Sequence, residues 1–162
     1  MTITLRDSTI EDELFLREVY ACTREQELGM VPWNDDQKNA FLRFQFDAQH
    51  AYYHEQYPDA GYQIVLKDGD PVGRLYIARK PSEIKILDLT VLPAHRNKGI
   101  GSQLMSEILS EANFAGKRVL IWVEQSSAAQ ELFKRLGFAR IEDNGYQELL
   151  EWSPQVARQV DE

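Results

Sequence analysis

The sequence predicts an α/β fold whose elements run in the order β-α-α-β-β-β-α-β-α-β-β. Segments with apolar residues at alternate positions, typical of strands, are interleaved with segments whose apolar residues recur every three or four positions, typical of helices. The pairs Asp68-Gly69 and Asn144-Gly145 predict tight turns between neighbouring strands. Gly116 and Gly137 each follow a helical segment, where glycine commonly ends a helix.

The first half of the chain is predicted to form a strand, two helices and a strand pair. Apolar and polar residues alternate over 2–6, which predicts a half-buried strand. A capping pattern at Ser8-Thr9 opens a first helix. Asn34 caps a second helix over 35–56, which must end before Pro58 because proline does not continue a helix. Two further strands are predicted over 62–67 and 72–79.

The second half begins with a buried strand over 84–92. Its apolar phase changes after Ile86, a pattern that either a β-bulge or burial on both faces produces. A helix over 99–115 follows, with one apolar stripe along it. The remaining predicted elements are a strand over 118–123, a helix over 127–136 opened by Ser127 and Gln130, and strands over 138–141 and 146–152.

Length and composition predict one domain over 1–152 followed by a tail over 153–162. The chain has 162 residues, of which 43% are hydrophobic and 27% charged, and this mixture excludes a disordered chain. With 18 basic and 26 acidic residues the net charge is −8, which excludes an extended nucleic-acid-binding surface. No signal segment or membrane-spanning run is present, so we expect a cytoplasmic protein without a membrane partner.

The segment that carries chemistry is the pattern Arg96-x-x-Gly99-x-Gly101, which joins a buried strand to a helix. A helix start offers unpaired backbone N–H groups and a positive partial charge, and glycines let a ligand approach the backbone. Arg96 and Lys98 add formal positive charge. The segment therefore predicts a pyrophosphate-binding loop. It is neither a Walker loop nor a dinucleotide fingerprint, because Leu104 stands where the latter needs its third glycine.

This segment resembles the acyl-CoA-binding motif of the GNAT superfamily of N-acetyltransferases, whose pattern is Arg/Gln-x-x-Gly-x-Gly/Ala after a strand ending in Val-x-Pro. A second stretch, Ala129-x-x-Leu132-Phe133-x-x-x-Gly137-Phe138, resembles the later helix motif of the family. The resemblance spans about Ile3 to Trp152. It implies a mostly antiparallel sheet with a parallel, splayed central strand pair, about four helices, and acetyl-CoA held between the strands at 87–92 and 118–123.

The resemblance also implies which residues hold the cofactor. The backbone of Leu89 and Val91 would bind the pantetheine arm and the acyl carbonyl. The pyrophosphate would lie on the segment Arg96, Asn97, Lys98, Gly99, Ile100, Gly101 and Ser102. Two positions depart from the family pattern: Ser126 replaces a frequent asparagine, and Phe133 replaces a tyrosine that faces the sulfur of coenzyme A. We expect both Ser126 and Phe133 to contact the cofactor. Phenylalanine donates no proton, so no dedicated general acid is expected; the hydroxyl of Ser126 or Ser127, acting through water, is the alternative donor.

The expected reaction is direct attack of an amine on the thioester of acetyl-CoA. An alkylamine must first lose a proton, at a cost of about 4–5 kcal/mol at pH 7. Glu83 and Asp88 are the candidate bases, and Glu124 is a weaker one. A solvated charge at a strand end is the alternative role for Glu83, and a structural hydrogen bond is the alternative for Asp88.

The acceptor is expected to be a small-molecule or peptide amine. Candidate walls of its pocket are Trp33, Tyr76 and Tyr146, together with Tyr53; a core or edge aromatic is the alternative reading of each. Arg74 is a candidate for binding a substrate carboxylate, with an exposed strand charge as its alternative. The resemblance is compatible with a homodimer, and a non-catalytic module that binds CoA or a partner is the second functional hypothesis. A domain that binds another phosphate ligand is the third.

Two further features predict no site. His50 and His54 share a helix face, but no third ligand accompanies them, so no metal site is expected. The single cysteine, Cys22, cannot form an internal disulfide and is expected to be a small buried helix residue.

Overall fold

A computed structural model describes residues 1–125 and 127–155 of the chain. The strands and helices, in chain order, are β1 (Ile3–Asp7), α1 (Glu13–Leu28), α2 (Asp35–Gln56), β2 (Gly61–Lys67), β3 (Asp70–Arg79), β4 (Glu83–Val91), α3 (Ile100–Ala115), β5 (Arg118–Glu124), α4 (Ala129–Arg135), β6 (Ala139–Asp143) and β7 (Gln147–Trp152). This order confirms the prediction from the sequence. Short 3₁₀ turns precede α1 and follow β4.

The strands of the described residues form a seven-stranded sheet in the order β1-β2-β3-β4-β5-β7-β6. Strands β4 and β5 are parallel, and their pairing joins Glu83–Ile86 to Arg118–Ile121. The pairs β1–β2, β5–β7 and β6–β7 are antiparallel. The predicted mixed sheet, mostly antiparallel with a parallel pair, is confirmed.

The chain divides into two compact units. The first contains Met1–Leu75 and Leu89–Lys98, and the second contains Tyr76–Asp88 and the described residues from Gly99 onward. Both units contain buried apolar side chains. Those of the first include Val19, Tyr20, Phe46, Ile64, Val65 and Leu75, and those of the second include Ile77, Ile84, Leu104, Met105, Ile108, Val119 and Phe133.

Helix boundaries follow the capping residues. At the start of α2 the Gln37 N–H donates to Asn34 Oδ1 at 2.8 Å, and the Asn34 N–H donates to Gln37 Oε1 at 2.9 Å. Helix α4 begins at Ala129, whose N–H donates to Ser127 Oγ at 3.1 Å. The predicted capping box is not formed, since the Gln130 side chain donates to the Glu124 carbonyl. None of the helices in the described residues is long and apolar enough to cross a membrane.

Helix α1 is preceded by a buried carboxylate. Both oxygens of Asp12 accept hydrogen bonds from Arg6 at 2.8 Å, and one also accepts from the Thr9 N–H at 2.8 Å. These bonds, with that from Arg6 the largest cause, lower the pKa of Asp12 to about 2. Asp12 therefore ties β1 to the start of α1 as an anion.

Gly73 in β3 allows a close approach to the end of β4. A Cβ atom at this position would overlap the Thr90 carbonyl oxygen and lie 3.1 Å from Val91 Cα. Beside it, the Leu92 N–H donates to the Val72 carbonyl at 2.8 Å. Only glycine lets the backbone of β4 lie at this distance.

Replacing Gly73 with alanine should therefore lower the free energy of unfolding by about 1–3 kcal/mol, the usual cost of overpacking. Gly29→Ala is the matched control, because a Cβ there lies 3.4 Å from its nearest neighbour and the backbone is right-handed helical. We expect that control to stay within about 0.5 kcal/mol of the parent. Urea unfolding measures both; equal stabilities for the two variants would contradict the close approach.

The Asp12 carboxylate predicts a pH dependence. Its pKa is about 2 in the folded state and ~3.9 in the unfolded chain, so the unfolded chain binds the proton more tightly. The stabilisation is complete above pH ~4 and is lost as the pH falls towards 2. Asp12→Asn should cost about 1 kcal/mol at pH 7, since Arg6 is partly screened by solvent. It should also flatten the unfolding free energy between pH ~4 and ~2; an unchanged slope would contradict this role.

Candidate functional site

The chain leaves β4 through a tight turn. The His95 N–H donates to the Leu92 carbonyl at 2.9 Å and the Arg96 N–H donates to the Pro93 carbonyl at 3.2 Å. Asn97 then adopts a left-handed conformation with a φ of 60°. Gly99 follows with a φ of 84°, directly before α3. The two left-handed residues turn the chain from the strand into the helix within eight residues.

Helix α3 starts without a side-chain cap. Its first backbone bond runs from the Gln103 N–H to the Gly99 carbonyl at 3.0 Å, and among the described residues no side chain bonds the amides at its N-terminus. The N–H groups of Ile100, Gly101 and Ser102 precede this bond, as at any helix start. They carry the positive end of a 16-residue helix dipole. This arrangement suits an anion.

The two glycines border open space. Within residues 1–125 and 127–155, no heavy atom lies within 4 Å of a Cβ built on Gly99, and a Cβ on Gly101 would meet only Leu132 Cδ2, at an ordinary 3.8 Å. Gly99 is explained by its positive φ. Gly101 is explained neither by its backbone nor by packing against the described residues, and a glycine there leaves room for a ligand to approach the helix start closely.

Arg96 does not extend from the turn. Its Nε donates to the Val91 carbonyl at 2.9 Å, and its Nη2 lies 3.7 Å from Cys22 Sγ on α1. Cys22 is on a helix as expected, but it is half-buried instead of buried, and it donates its own S–H to the Val19 carbonyl. Nothing in the sequence pattern signals the contact between Arg96 and Cys22, which are 74 positions apart. Lys98 is exposed.

The remaining predicted cofactor residues lie on β4 and α4. Leu89 and Val91 are half-buried in the last part of β4, beyond the four residues that pair with β5. Phe133 is buried on α4 and packs edge-on against Phe138, with ring centres 5.2 Å apart. It offers packing surface and no O–H group. Ser126 lies outside the described residues.

Comparison with known proteins now gives the family. The model of the acetyltransferase (GNAT) family matches residues 17–138. The chain belongs to this family. A mycothiol acetyltransferase of Clavibacter sepedonicus is 35% identical over 86 residues, a match that covers 51% of this chain and 27% of that protein. This chain therefore matches only about a quarter of that curated relative.

Solved structures share the GNAT fold. The PaiA N-acetyltransferase of Thermoplasma acidophilum, in complex with coenzyme A, has a TM-score of 0.70 at 17% identity, over 94% of this chain and 99% of that one. Arabidopsis thaliana Naa50, in complex with the bisubstrate analogue CoA-Ac-MVNAL, has a TM-score of 0.59 at 16% identity, over 94% and 99% of the chains. At these identities the likeness concerns the fold.

The candidate bases of this GNAT chain differ in their surroundings. Glu83 forms an ion pair with Arg118 at 3.1 Å, and Arg118 also binds Glu151 at 2.8 Å. Glu83 begins β4, eight residues before Val91, or ~26 Å along an extended strand. This placement favours a structural role. Asp88 is half-buried within β4, and Glu124 is exposed at the end of β5.

The candidate acceptor-pocket residues lie on different elements. In the first unit, Trp33 is 39% exposed between α1 and α2 and packs against Phe41 with ring centres 5.5 Å apart. In the second unit, Tyr76 is buried in β3, which favours the alternative role of a core aromatic, and Tyr146 is 58% exposed between β6 and β7.

The structure corrects the expected exposure of Arg74. The alternative of an exposed strand charge is wrong, because Arg74 is 1% exposed and donates to Gln49 Oε1 at 2.9 Å. Its guanidinium also lies 5.9 Å from the Tyr20 ring centre. Every residue over 72–78 is buried, so β3 is covered on both faces. The nearly continuous apolar run around Arg74 was the available signal.

The histidine pair belongs to an aromatic row on α2. The rings of His50 and His54 lie 4.3 Å apart, and His54 stacks on Tyr62 at 4.1 Å. Burial, and then the neighbouring His50, lower the pKa of His54. In the part of the chain that the structure describes, no group of three or more His, Cys, Asp or Glu side chains is placed to hold a metal ion.

Gly101 yields a testable prediction. Because a methyl group there meets only Leu132 at an ordinary distance and alanine favours helices, Gly101→Ala should unfold at or above the temperature of the parent. Gly99→Val is the contrasting variant: the left-handed backbone should cost it about 1–2 kcal/mol. Thermal unfolding measures both, and a marked loss in Gly101→Ala would show that the glycine serves packing.

Proposed function

We propose that this chain transfers the acetyl group of acetyl-CoA to a primary amine. One observation of the structure carries the proposal: α3 starts without a side-chain cap, next to two glycines that border open space. Membership of the GNAT acetyltransferase family supports it. We also propose that residues 1–152 act as one domain, since the family match over 17–138 includes parts of both units.

The residues of the loop fit the charged part of coenzyme A. The amides of Ile100, Gly101 and Ser102 offer three donors to the pyrophosphate, with the helix dipole behind them. Lys98 and the amides of the preceding turn add positive potential in a chain of net charge −8. Ser126 remains a proposed contact from outside the described residues.

Other residues fit the uncharged part of the cofactor. The backbone of Leu89 and Val91, beyond the residues of β4 that pair with β5, would bind the pantetheine arm as an added strand. Phe133 would pack against it. When bound, acetyl-CoA supplies an activated acyl group as a thioester.

Deprotonation of the amine is the step that needs a side chain. Asp88 adjoins the residues proposed to bind pantetheine and is half-buried, so we propose it as the base, acting directly or through water. Glu83 is engaged by Arg118, which favours holding the strand starts together. Phe133 offers no proton, so the thiol, with a pKa of ~8.5, leaves as thiolate and takes its proton from water.

The acceptor class follows from charge and from a relative. A net charge of −8 attracts cationic amines over neutral or anionic molecules. Because Naa50 was solved with a peptide-containing bisubstrate analogue, we propose peptide amines as well as small amines as acceptors. Trp33 in the first unit and Tyr146 in the second remain proposed acceptor contacts, whereas the burial of Tyr76 favours a core role. A homodimer remains a proposed assembly.

Titration calorimetry with coenzyme A, followed by an assay of thiol release on a panel of amines, tests the function. We expect binding below millimolar concentration and turnover of at least one amine above the rate of hydrolysis. Gly101→Leu should weaken binding at least tenfold, because its side chain occupies the space over the helix start. Ser106→Leu, on the exposed side of the same helix, is the matched control and should bind as the parent does.

Each failure has its own meaning. If coenzyme A does not bind the parent at millimolar concentration, the cofactor assignment is wrong. If it binds but no amine is turned over, the non-catalytic CoA-binding module, which the absence of a proton donor at Phe133 favours, replaces the enzyme. If Gly101→Leu binds as tightly as the parent, the ligand does not lie on the start of α3.

A further inference from the structure

One peptide group at the end of β4 is held at both of its polar ends. The N–H of Leu92 donates to the Val72 carbonyl at 2.8 Å. The carbonyl of the same peptide group, that of Val91, accepts from Arg96 Nε at 2.9 Å. A peptide plane fixed on both sides cannot rotate, so the direction in which the chain leaves the strand is set there.

The Arg96 side chain reaches this carbonyl by folding back across the turn. It reaches back five positions to Val91, and its Nη2 reaches Cys22 Sγ on α1 at 3.7 Å. Two of its donor nitrogens therefore face β4 and α1, elements of its own unit. The left-handed residue Asn97 follows directly, so the turn that leads to α3 begins from this anchored residue.

We infer that Arg96 is a positioning residue for the phosphate-binding loop: its Nε–H fixes the Val91–Leu92 peptide group, and through it the loop whose amides bind the pyrophosphate. This inference rests on the proposed function and deepens it. The formal charge of Arg96 then contributes less to cofactor binding than its hydrogen bond to Val91. From the sequence alone, Arg96 is instead expected to act through its positive charge on the phosphates.

Three substitutions separate the hydrogen bond from the charge. The Nε2 of glutamine is the same number of bonds from Cα as the Nε of arginine, so Arg96→Gln keeps a donor for the Val91 carbonyl and removes the charge. Arg96→Met keeps a similar length with neither donor nor charge. Arg96→Lys keeps the charge but moves its nitrogen one bond further and loses the planar group that reaches Cys22.

The test is the dissociation constant of coenzyme A, measured by titration calorimetry at about 0.1 M and about 1 M salt. We expect Arg96→Gln to bind within about threefold of the parent, and at least as tightly as Arg96→Lys. Arg96→Met should bind about tenfold more weakly, the effect of losing one hydrogen bond of ordinary strength. The gap between the Gln and Met variants should persist at 1 M salt, where the screening length is only ~3 Å.

The inference is overturned if Arg96→Gln binds as weakly as Arg96→Met while Arg96→Lys binds like the parent, with the differences vanishing at 1 M salt. That result would make Arg96 a charge for the phosphates. Arg43→Gln, an exposed arginine on α2, is the matched control for removing one charge. Unfolding temperatures without ligand check that all variants are folded. If the parent itself fails to bind coenzyme A, the proposed function is wrong. Equal binding by the Gln and Met variants is a separate result, which contradicts only the role of Arg96.

Discussion

The start of helix α3 presents amide N–H groups that no side chain of the described residues caps. The backbone conformation of the segment before it is fixed by several contacts. The end of β4 lies close to β3 because residue 73 is glycine. The Val91–Leu92 peptide group is then held from both sides, and two left-handed residues complete the turn. Each of these features costs conformational freedom. They precede the amide donors at the start of α3, which border open space.

The proposed site is built mainly from backbone groups, so it is compatible with low identity among proteins that share the fold. The structure resembles a coenzyme A complex with a TM-score of 0.70 although only 17% of the residues are identical. Amide donors and a helix dipole need glycines at a few positions and little else from the side chains. By contrast, the proton-transfer groups are side chains, and there this chain departs from the family pattern, with Phe133 buried and without a hydroxyl.

The sequence predicted the order of the elements and most of their limits, because local signals determine them. The second helix runs from Asp35 to Gln56 as its capping residue and the following proline indicate. Local patterns could not predict the roles of residues whose partners are distant in the sequence. Arg96 bonds to Cys22 across 74 positions, and Glu83 pairs with Arg118 across 35. Gly73 left a fainter signal, since an isolated glycine inside a strand indicates a close approach of another backbone.

The same distinction applies to the site. The phosphate-binding loop could be proposed from the sequence because its glycines, its charges and the helix start are consecutive in the chain. The acceptor pocket and the base could not be fixed in this way, since their candidates come from separate elements and have alternative structural roles. The burial of Tyr76 and the ion pair of Glu83 with Arg118 on the neighbouring strand favour those structural alternatives.

The most direct test of the central claim is a titration of the ¹⁵N-labelled protein with coenzyme A, followed by the backbone amide signals. The account predicts saturable shifts concentrated at Asn97 to Ser102, with the signals of the last turn of α3, around Phe114, unchanged. Binding of coenzyme A that leaves the amides of Ile100, Gly101 and Ser102 unshifted would contradict it, because those three donors are the proposed seat of the pyrophosphate.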